Sequence, residues 1–183
     1  MIETIYTPRL EMRVLDGSAA GDVLDFYMEN PEFEHYEAER SFEFYTYDHM
    51  KRTLEYEYQV ISKMMGLRLW VFEANAPYKI IGTVSFQNMM YNVYKSCQIG
   101  YKFHKNYQNK GYAREAVTNA CKEVFDVFDI HRIEAYTMPD NLPSKRLLEK
   151  VGFTFEGLSR DRAMIRGKWE DHMLYSLLKT DKF

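Results

Sequence analysis

The sequence predicts an α+β protein of three layers (αβα), in which a central, mostly antiparallel mixed sheet lies between helices on both faces. Three observations support this prediction. Apolar, strand-like runs near 67–74, 79–90 and 97–103 follow one another with no helix between them. Apolar residues then recur over 112–128 with the spacing of one buried helix face. Clusters of turn-forming residues separate neighbouring runs, as at 75–78.

The remaining elements follow from the same patterns. A strand over 9–14 and a helix over 19–29 come first, before an irregular acidic and aromatic segment over 30–47. A helix over 48–65 is expected to end at Gly66, because glycine suits the left-handed position just beyond a helix. The later elements are a strand over 131–137, a helix over 144–150, and strands over 153–160 and 169–178 on either side of a turn at 166–168.

Length and composition limit the class of protein. A chain of 183 residues with 46% hydrophobic residues can bury a full core, and its length favours one domain spanning 1–183. No window approaches the roughly 20 apolar residues of a membrane span and no cleavable signal opens the chain, so a cytoplasmic protein is expected. The net charge of -3 gives no indication of nucleic-acid binding. Cys97 and Cys121 are expected to be buried, and the five histidines show no metal-ligand spacing with them, so no metal is predicted.

Residues 108–113, Gln-Asn-Lys-Gly-Tyr-Ala, have the features of an anion-binding loop. Gly111 and Ala113 are small, so a ligand can approach the backbone closely, and the unpaired N–H groups of a helix first turn attract phosphate. The spacing matches neither the Gly-x-x-x-x-Gly-Lys-Ser/Thr phosphate loop nor the Gly-x-Gly-x-x-Gly dinucleotide loop. An ordinary strand-to-helix turn is the alternative interpretation.

The pattern Gln108-x-x-Gly111-x-Ala113 resembles the coenzyme A loop of the GNAT superfamily of N-acetyltransferases. The Asn-x-x-Ser step at 141–144 and the run Leu-Glu-Lys-Val-Gly-Phe at 148–153, with a Glu-Gly pair shortly after, resemble the ribosomal-protein alanine acetyltransferase (RimJ/RimL-like) branch of that superfamily. The opening segment 7–13 is similar to the first strand of that branch. The resemblance therefore covers essentially the whole chain, and it implies an acetyl-CoA-dependent N-acetyltransferase.

The same resemblance implies where the cofactor binds. The strands over 97–103 and 131–137 would run parallel and splay apart, leaving a cleft. Backbone groups that lose their ladder partners would bind the amides of pantetheine, and a backbone N–H would stabilise the oxyanion. The residues expected to bind acetyl-CoA are Tyr101, Phe103, His104, Gln108, Asn109, Lys110, Gly111, Tyr112, Ala113, Asn141 and Ser144.

Two catalytic residues are predicted, Ser144 and His104. Many GNAT enzymes carry a tyrosine four residues after the position of Ser144, where this sequence has Leu148, so Ser144 is expected to protonate the departing thiolate; a helix-start serine is the alternative. Gln98 and Lys105 stand where members of the branch have a glutamate, which leaves His104 as the candidate base or as a solvated loop residue. Water could also accept the proton, because an α-amine with a pKa of about 8 is roughly one tenth neutral at pH 7.

The acceptor is expected to be a primary amine, either a protein N-terminus or a small molecule such as an aminoglycoside or a polyamine. The segment 29–43 holds six glutamates against one arginine. An acidic, aromatic mouth that includes Glu34, Tyr36 and Glu37 would attract a cationic amine, whereas a charge run is more often a solvated face. A catalytically silent acyl-CoA sensor and a fold used without a cofactor are further alternatives. The protein is expected to be a monomer or a homodimer.

Overall fold

The structure is a computed structural model that describes residues 4–183. The strands are β1 (Thr4–Tyr6), β2 (Leu10–Arg13), β3 (Leu67–Glu73), β4 (Gly82–Met90), β5 (Ser96–Phe103), β6 (Arg132–Thr137), β7 (Thr154–Ile165) and β8 (Lys168–Leu178). The α-helices are α1 (Ala20–Met28), α2 (Tyr47–Ser62), α3 (Tyr112–Val127) and α4 (Leu142–Val151). Short 3-10 helices lie at Gly17–Ala19, Pro31–Tyr36, Phe42–Tyr45 and Lys105–Tyr107.

All eight strands form one sheet in the order β1-β2-β3-β4-β5-β6-β8-β7. Every neighbouring pair is antiparallel except β5 and β6, which run parallel and are connected through α3. A parallel pair needs such a crossover because its second strand must start at the same end of the sheet as the first. The predicted fold class, a mostly antiparallel sheet with one parallel pair, is confirmed.

Helices cover both faces of the sheet because successive strand residues point to opposite sides. The larger core lies between the sheet and α3, where Val117, Cys121 and Val124 pack with strand residues such as Ile99 and Ile133. On the opposite face α1 and α2 cover a second cluster that contains Phe26, Leu54, Trp70 and Phe72. Both cysteines are buried and unpaired, as predicted, and burial raises the pKa of the Cys97 thiol to about 12.

Three local features differ from the sequence-based predictions. The strand β1 and the 3-10 helices over Pro31–Tyr36 and Phe42–Tyr45 were not expected. The α2 helix ends at Ser62, and Met64, with φ 56°, takes the left-handed position that was assigned to Gly66. Its N–H donates to Ile61, and the N–H of Met65 donates to Val60, which together form a helix-ending motif. A glycine is needed at position 66 for a different reason: the backbone there passes close to β4, and a Cβ would lie 3.0 Å from the carbonyl oxygen of Phe86.

The β7–β8 hairpin is closed by the predicted turn. Arg166 and Gly167 both have positive φ, the geometry that matches the right-handed twist of a two-residue hairpin. No helix within residues 4–183 combines the length and the apolarity that a membrane crossing requires. Within the same residues there is no cluster of three His, Cys, Asp or Glu side chains suited to a metal ion.

Candidate active site

The parallel strands β5 and β6 separate halfway along their length. Their pairing runs from Ser96 opposite Arg132 to Ile99 opposite Ala135 and then ends, although β5 continues to Phe103. The N–H of His104 donates to Ile81, toward β4, over 2.9 Å. Because alternate residues direct their backbone groups to opposite sides, the N–H groups of Tyr101 and Phe103 face the gap without a ladder partner.

A cleft of about 1440 Å³ occupies this gap and extends to both faces of the sheet. The cleft residues that had been predicted from the sequence are Tyr36, Glu37, Tyr101, Phe103, Gln108, Asn109, Gly111, Ala113, Asn141 and Ser144. Four other predicted residues do not line it, namely Glu34, His104, Lys110 and Tyr112. The structure therefore brings most of the expected site together from segments far apart in the chain.

The loop 108–113, here called the cofactor loop, lies where β5 ends and α3 begins. Gly111 is the residue before α3 and has φ +83°, a left-handed conformation that residues with a Cβ rarely adopt. The Gln108 side chain donates from Nε2 to the carbonyl oxygen of Phe103 over 3.0 Å, which ties the loop to the end of β5. The first intrahelical bond runs from Glu115 N–H to the Gly111 carbonyl, so the preceding N–H groups of α3 remain open to an anion.

The N-terminal strands hold the cofactor loop in place through Arg9. Its Nε donates to Glu115 Oε2 over 2.6 Å, and its Nη1 donates to the carbonyl oxygen of Lys110 over 2.9 Å. Thr7 adds a hydrogen bond from Oγ1 to Glu115 Oε1 over 2.6 Å. Burial disfavours ionisation of Glu115, but the hydrogen bonds from Thr7 and Arg9 outweigh it and lower the pKa of this carboxyl. The start of α3 is therefore fixed by a charged contact with the connection between β1 and β2, which is distant in the chain.

Three basic side chains that the sequence analysis did not single out line the same part of the cleft. They are Arg114 in the first turn of α3 and Arg146 and Lys150 on α4. None of them forms an ion pair within residues 4–183. The available sequence signal was the i, i+4 spacing of Arg146 and Lys150, which places both on one face of a helix.

Ser144 lies in the first turn of α4 and faces Tyr101 across the cleft wall. The two hydroxyl oxygens are 2.8 Å apart. Asn141 precedes α4 and accepts from the Ser144 N–H through Oδ1 over 3.1 Å, so it caps the helix and positions the serine at once. Burial raises the pKa of the Tyr101 phenol well above its usual value, with the Ser144 hydrogen bond opposing this effect. Tyr101 therefore stays protonated and available as a donor at neutral pH.

Thr137 ends β6 on the same cleft and has an unusual hydroxyl. The residue is 5% exposed, and its Oγ1 has no hydrogen-bond partner within residues 4–183. Burying a hydroxyl without a partner destabilises a protein, so such groups are rare. Thr137 occupies on β6 the position that would pair with Tyr101 if the parallel ladder continued past Ile99 and Ala135. Its hydroxyl thus lies at the opening between the two strands.

His104 does not occupy the position that a general base requires. Its side chain is 2% exposed, does not line the cleft, and has both ring nitrogens engaged within the fold. Nδ1 accepts from the Asn106 N–H over 3.1 Å, which leaves Nε2 to donate to Glu29 Oε2 at 2.8 Å. The expectation that His104 is the base is therefore corrected: the strand that ends at Phe103 turns this ring away from the gap.

Glu34 and Glu37 of the predicted acidic mouth both have partners within the fold. Glu37 pairs with Lys102 over 2.7 Å and also with Arg40, and Glu34 accepts from the Tyr45 hydroxyl. The carboxylates that line this part of the cleft are Glu32 and Glu37, and the basic side chains are Arg68 and Lys102. Arg68 is itself paired with Glu57 over 2.6 Å, so Glu32 is the one cleft carboxylate here without a basic partner within residues 4–183. A strong net attraction for cations is therefore not supported by the geometry.

Comparison with known proteins agrees with this architecture. The profile described as Acetyltransferase (GNAT) domain matches residues 9–154 of the chain. The chain belongs to the GNAT acetyltransferase family. The probable N-acetyltransferase YjcK of Bacillus subtilis is 35% identical over 181 residues, which cover 98% of this chain and 96% of the relative.

Two further GNAT relatives concern ribosomal proteins. The [ribosomal protein uS5]-alanine N-acetyltransferase of Escherichia coli is 38% identical over 103 residues, or 56% of this chain and 53% of that enzyme. A crystal structure of ribosomal-protein-S5-alanine acetyltransferase from Vibrio fischeri superposes with a TM-score of 0.92 at 29% identity and covers 98% of both chains. The resemblance to GNAT acetyltransferases of the RimJ/RimL type, stated from the sequence, is confirmed.

Proposed function

We propose that this GNAT acetyltransferase transfers the acetyl group of acetyl-CoA to the N-terminal amine of a protein, by direct attack in a ternary complex. The observation that carries the proposal is the Tyr101–Ser144 hydroxyl pair, 2.8 Å apart, on the cleft where β5 and β6 separate. Acetyl transfer needs an extended site for the cofactor, a polarised carbonyl and a proton for the thiolate. The cleft offers groups suited to each of these tasks.

The phosphate end of coenzyme A fits the cofactor loop. The pyrophosphate would accept hydrogen bonds from the open N–H groups at the start of α3, next to Gly111. Arg114, Arg146 and Lys150 would balance its charge, since they have no ion-pair partners within residues 4–183. Positive side chains next to a helix N-terminus are suited to a polyphosphate.

The pantetheine arm would lie in the gap between β5 and β6 as an added strand. Its carbonyl oxygens would accept from the free N–H groups of Tyr101 and Phe103, since the Phe103 carbonyl already accepts from Gln108. One of these N–H groups would also polarise the thioester carbonyl and stabilise the oxyanion. Ser144, supported by Tyr101, would donate the proton that the thiolate needs as the carbon–sulfur bond breaks.

Two considerations favour a protein N-terminus over a polycationic small molecule. On the acceptor side of the cleft Glu37 is paired with Lys102 and Arg40, which leaves Glu32 as the one carboxylate without a basic partner within residues 4–183, too little negative charge to select a polyamine or an aminoglycoside. In addition, two of the related proteins, one similar along 56% of this chain and one along 98%, are named as alanine acetyltransferases of ribosomal protein S5. A peptide amine with an uncharged first side chain fits an acceptor side with so little free negative charge.

A screen of acceptors tests this function. Peptides beginning with alanine or serine, together with spermidine and an aminoglycoside, would each be mixed with acetyl-CoA while free CoA is measured. We expect turnover with peptide amines and little with the polycations. Turnover restricted to small polycations would overturn the acceptor class, whereas tight acetyl-CoA binding without any turnover would favour the sensor alternative.

A further inference from the structure

His172 is a buried histidine on the acceptor side of the cleft. It lies on β8 and is 8% exposed, yet its side chain contributes to the cleft lining. Alternation along β8 directs His172 to the face opposite Met173 and Tyr175, which pack on the α3 side of the sheet. Because Met173 pairs with Thr137, His172 stands beside the end of β6 at the opening of the gap.

The hydrogen bonding of the ring determines its tautomer. His172 Nδ1 lies 3.1 Å from the carbonyl oxygen of Glu170, and a carbonyl oxygen can only accept. Nδ1 therefore carries the hydrogen, and Nε2 holds the lone pair of the neutral ring. No group within residues 4–183 hydrogen-bonds to Nε2. A histidine fixed in one tautomer by a backbone carbonyl is arranged to accept a proton at its other nitrogen.

We propose that His172 is the general base of the reaction. This inference rests on the proposed acetyl transfer. The acceptor amine attacks the thioester carbon, and His172 Nε2 takes a proton from the amine, directly or through one water. The nitrogen–carbon bond forms, the carbon–sulfur bond breaks, and the sulfur leaves with the proton from Ser144. One acetylated amine and one CoA thiol result. The imidazolium returns its proton to solvent, and Ser144 regains one from solvent through the Tyr101 hydroxyl.

Three other titratable groups on this side of the cleft are less suited to the task. Glu37 is neutralised by Lys102 and Arg40, and burial together with Asp140 raises the pKa of the Tyr36 phenol. His35 has Arg166 at Nδ1 and Asp140 near Nε2. The remaining titratable or charged groups around this surface are Glu32, Arg68 and Tyr136, with Arg162 over the Tyr136 ring.

Matched substitutions separate a base from a structural residue. His172→Asn keeps a donor that can reach the Glu170 carbonyl and removes only the nitrogen that would accept the proton. His172→Ala removes the whole ring and leaves a space for free imidazole. His131→Asn is the control, because His131 is exposed and does not line the cleft. Calorimetry with acetyl-CoA would report on the fold and the cofactor site of each variant.

We expect His172→Asn to lower kcat by about 100-fold, the usual scale for positioned proton transfer, with little change in acetyl-CoA affinity. Added imidazole should restore part of the activity of His172→Ala and leave the wild-type protein and His131→Asn unchanged. Full activity of His172→Asn, or a loss in His172→Ala that imidazole does not relieve, would overturn the assignment while leaving the proposed function intact. If the wild-type protein turned over no amine at all, the proposed function would fail, and the base with it.

Discussion

The hydroxyl oxygens of Tyr101 and Ser144 lie 2.8 Å apart and join β5 to the first turn of α4. Since burial keeps the Tyr101 phenol protonated, it can donate to Ser144 and leave the serine hydrogen free to point elsewhere. A proton delivered to sulfur by Ser144 could be drawn in turn from Tyr101. If Ser144 is the acid, Tyr101 would supply from another element the tyrosine that many family members carry at the position of Leu148.

The first prediction concerns this pair. Ser144→Ala should lower kcat by about 100-fold, the lower part of the range for general acid catalysis, because a CoA thiol is a moderately good leaving group without help. Tyr101→Phe should lower kcat by a smaller factor. The double variant should lower kcat by less than the product of the two single factors, because the two hydroxyls act together. Steady-state kinetics with a good peptide acceptor would measure all three.

Asn141 provides the control for that series. Asn141→Ala removes the cap that positions Ser144, so both kcat and acetyl-CoA affinity should fall, with a loss of about 1 kcal/mol of stability. Asn141→Asp keeps the cap and should retain most of kcat. If Ser144→Ala keeps full kcat, the serine is a helix-start residue, and the acid is Tyr101 or water.

The second prediction concerns Gly111. A Cβ at this residue would lie 3.2 Å from Arg9 Nη2, and φ +83° strains most side chains by about 1–2 kcal/mol. Gly111→Asn should keep the backbone, because asparagine tolerates the left-handed region, and raise the Kd for acetyl-CoA about tenfold by obstructing the pyrophosphate. Gly111→Val should raise the Kd further, since its backbone must also move. Calorimetry on folded variants would check both, and unchanged affinity in Gly111→Asn would contradict the placement of the phosphates.

The third prediction concerns Glu34 and Glu37. Neither Glu34→Gln nor Glu37→Gln should change the salt dependence of the acceptor KM. The Glu34 carboxylate already accepts from the Tyr45 hydroxyl, and the Glu37 carboxylate is already paired with Lys102. Glu37→Gln should lower stability by about 1 kcal/mol, since Lys102 and Arg40 lose a half-buried charged partner. Glu34→Gln should lower it less, because an amide oxygen can still accept from Tyr45. An acceptor KM that rises in Glu37→Gln and converges with the wild-type value in high salt would restore the steering hypothesis.

The fourth prediction uses the unpartnered hydroxyl of Thr137. Thr137→Val keeps the shape and removes a buried group that has no partner within residues 4–183, so the protein without ligand should gain about 1 kcal/mol. For a chain of this size the melting temperature should rise by about 2–4 °C. If the hydroxyl contacts the thioester end of the cofactor, acetyl-CoA affinity or kcat should fall in the same variant. A variant with a lower melting temperature in the absence of ligand would contradict this account.

The fold was predictable because its signals are local. The apolar positions of α3 repeat at helical spacing, and Arg166–Gly167 is a turn that any reader of the sequence can recognise. The left-handed position after α2 was assigned to Gly66, but Met64 occupies it. Gly66 is needed for another reason, its close approach to the carbonyl oxygen of Phe86, and that contact with the distant strand β4 leaves no local signal in the sequence. Glycine in a sequence does not reveal whether it serves a turn or a close contact.

The candidate site was less predictable because its partners are distant in the chain. His104 follows the strand that borders the cleft, but its ring pairs with Glu29, 75 residues earlier, and no local pattern records that contact. His172 reaches the cleft only because β8 lies next to β6 in the sheet order. The cofactor loop was recognisable from its hexapeptide together with the Asn-x-x-Ser step at 141–144 and the run at 148–153. The neutralisation of Glu37, by contrast, depends on Lys102, which lies on a distant strand.

The gap between β5 and β6 also makes the stability of this protein depend on any ligand that fills it. A ligand that fills it as a missing strand binds the folded chain and not the unfolded one, so it shifts the folding equilibrium by mass action. At a concentration 100 times its Kd, such a ligand adds about 2.7 kcal/mol to the free energy of unfolding. If the gap binds acetyl-CoA as proposed, scarcity of that ligand would leave more molecules open and accessible to proteases, so the amount of protein would follow the supply of the ligand.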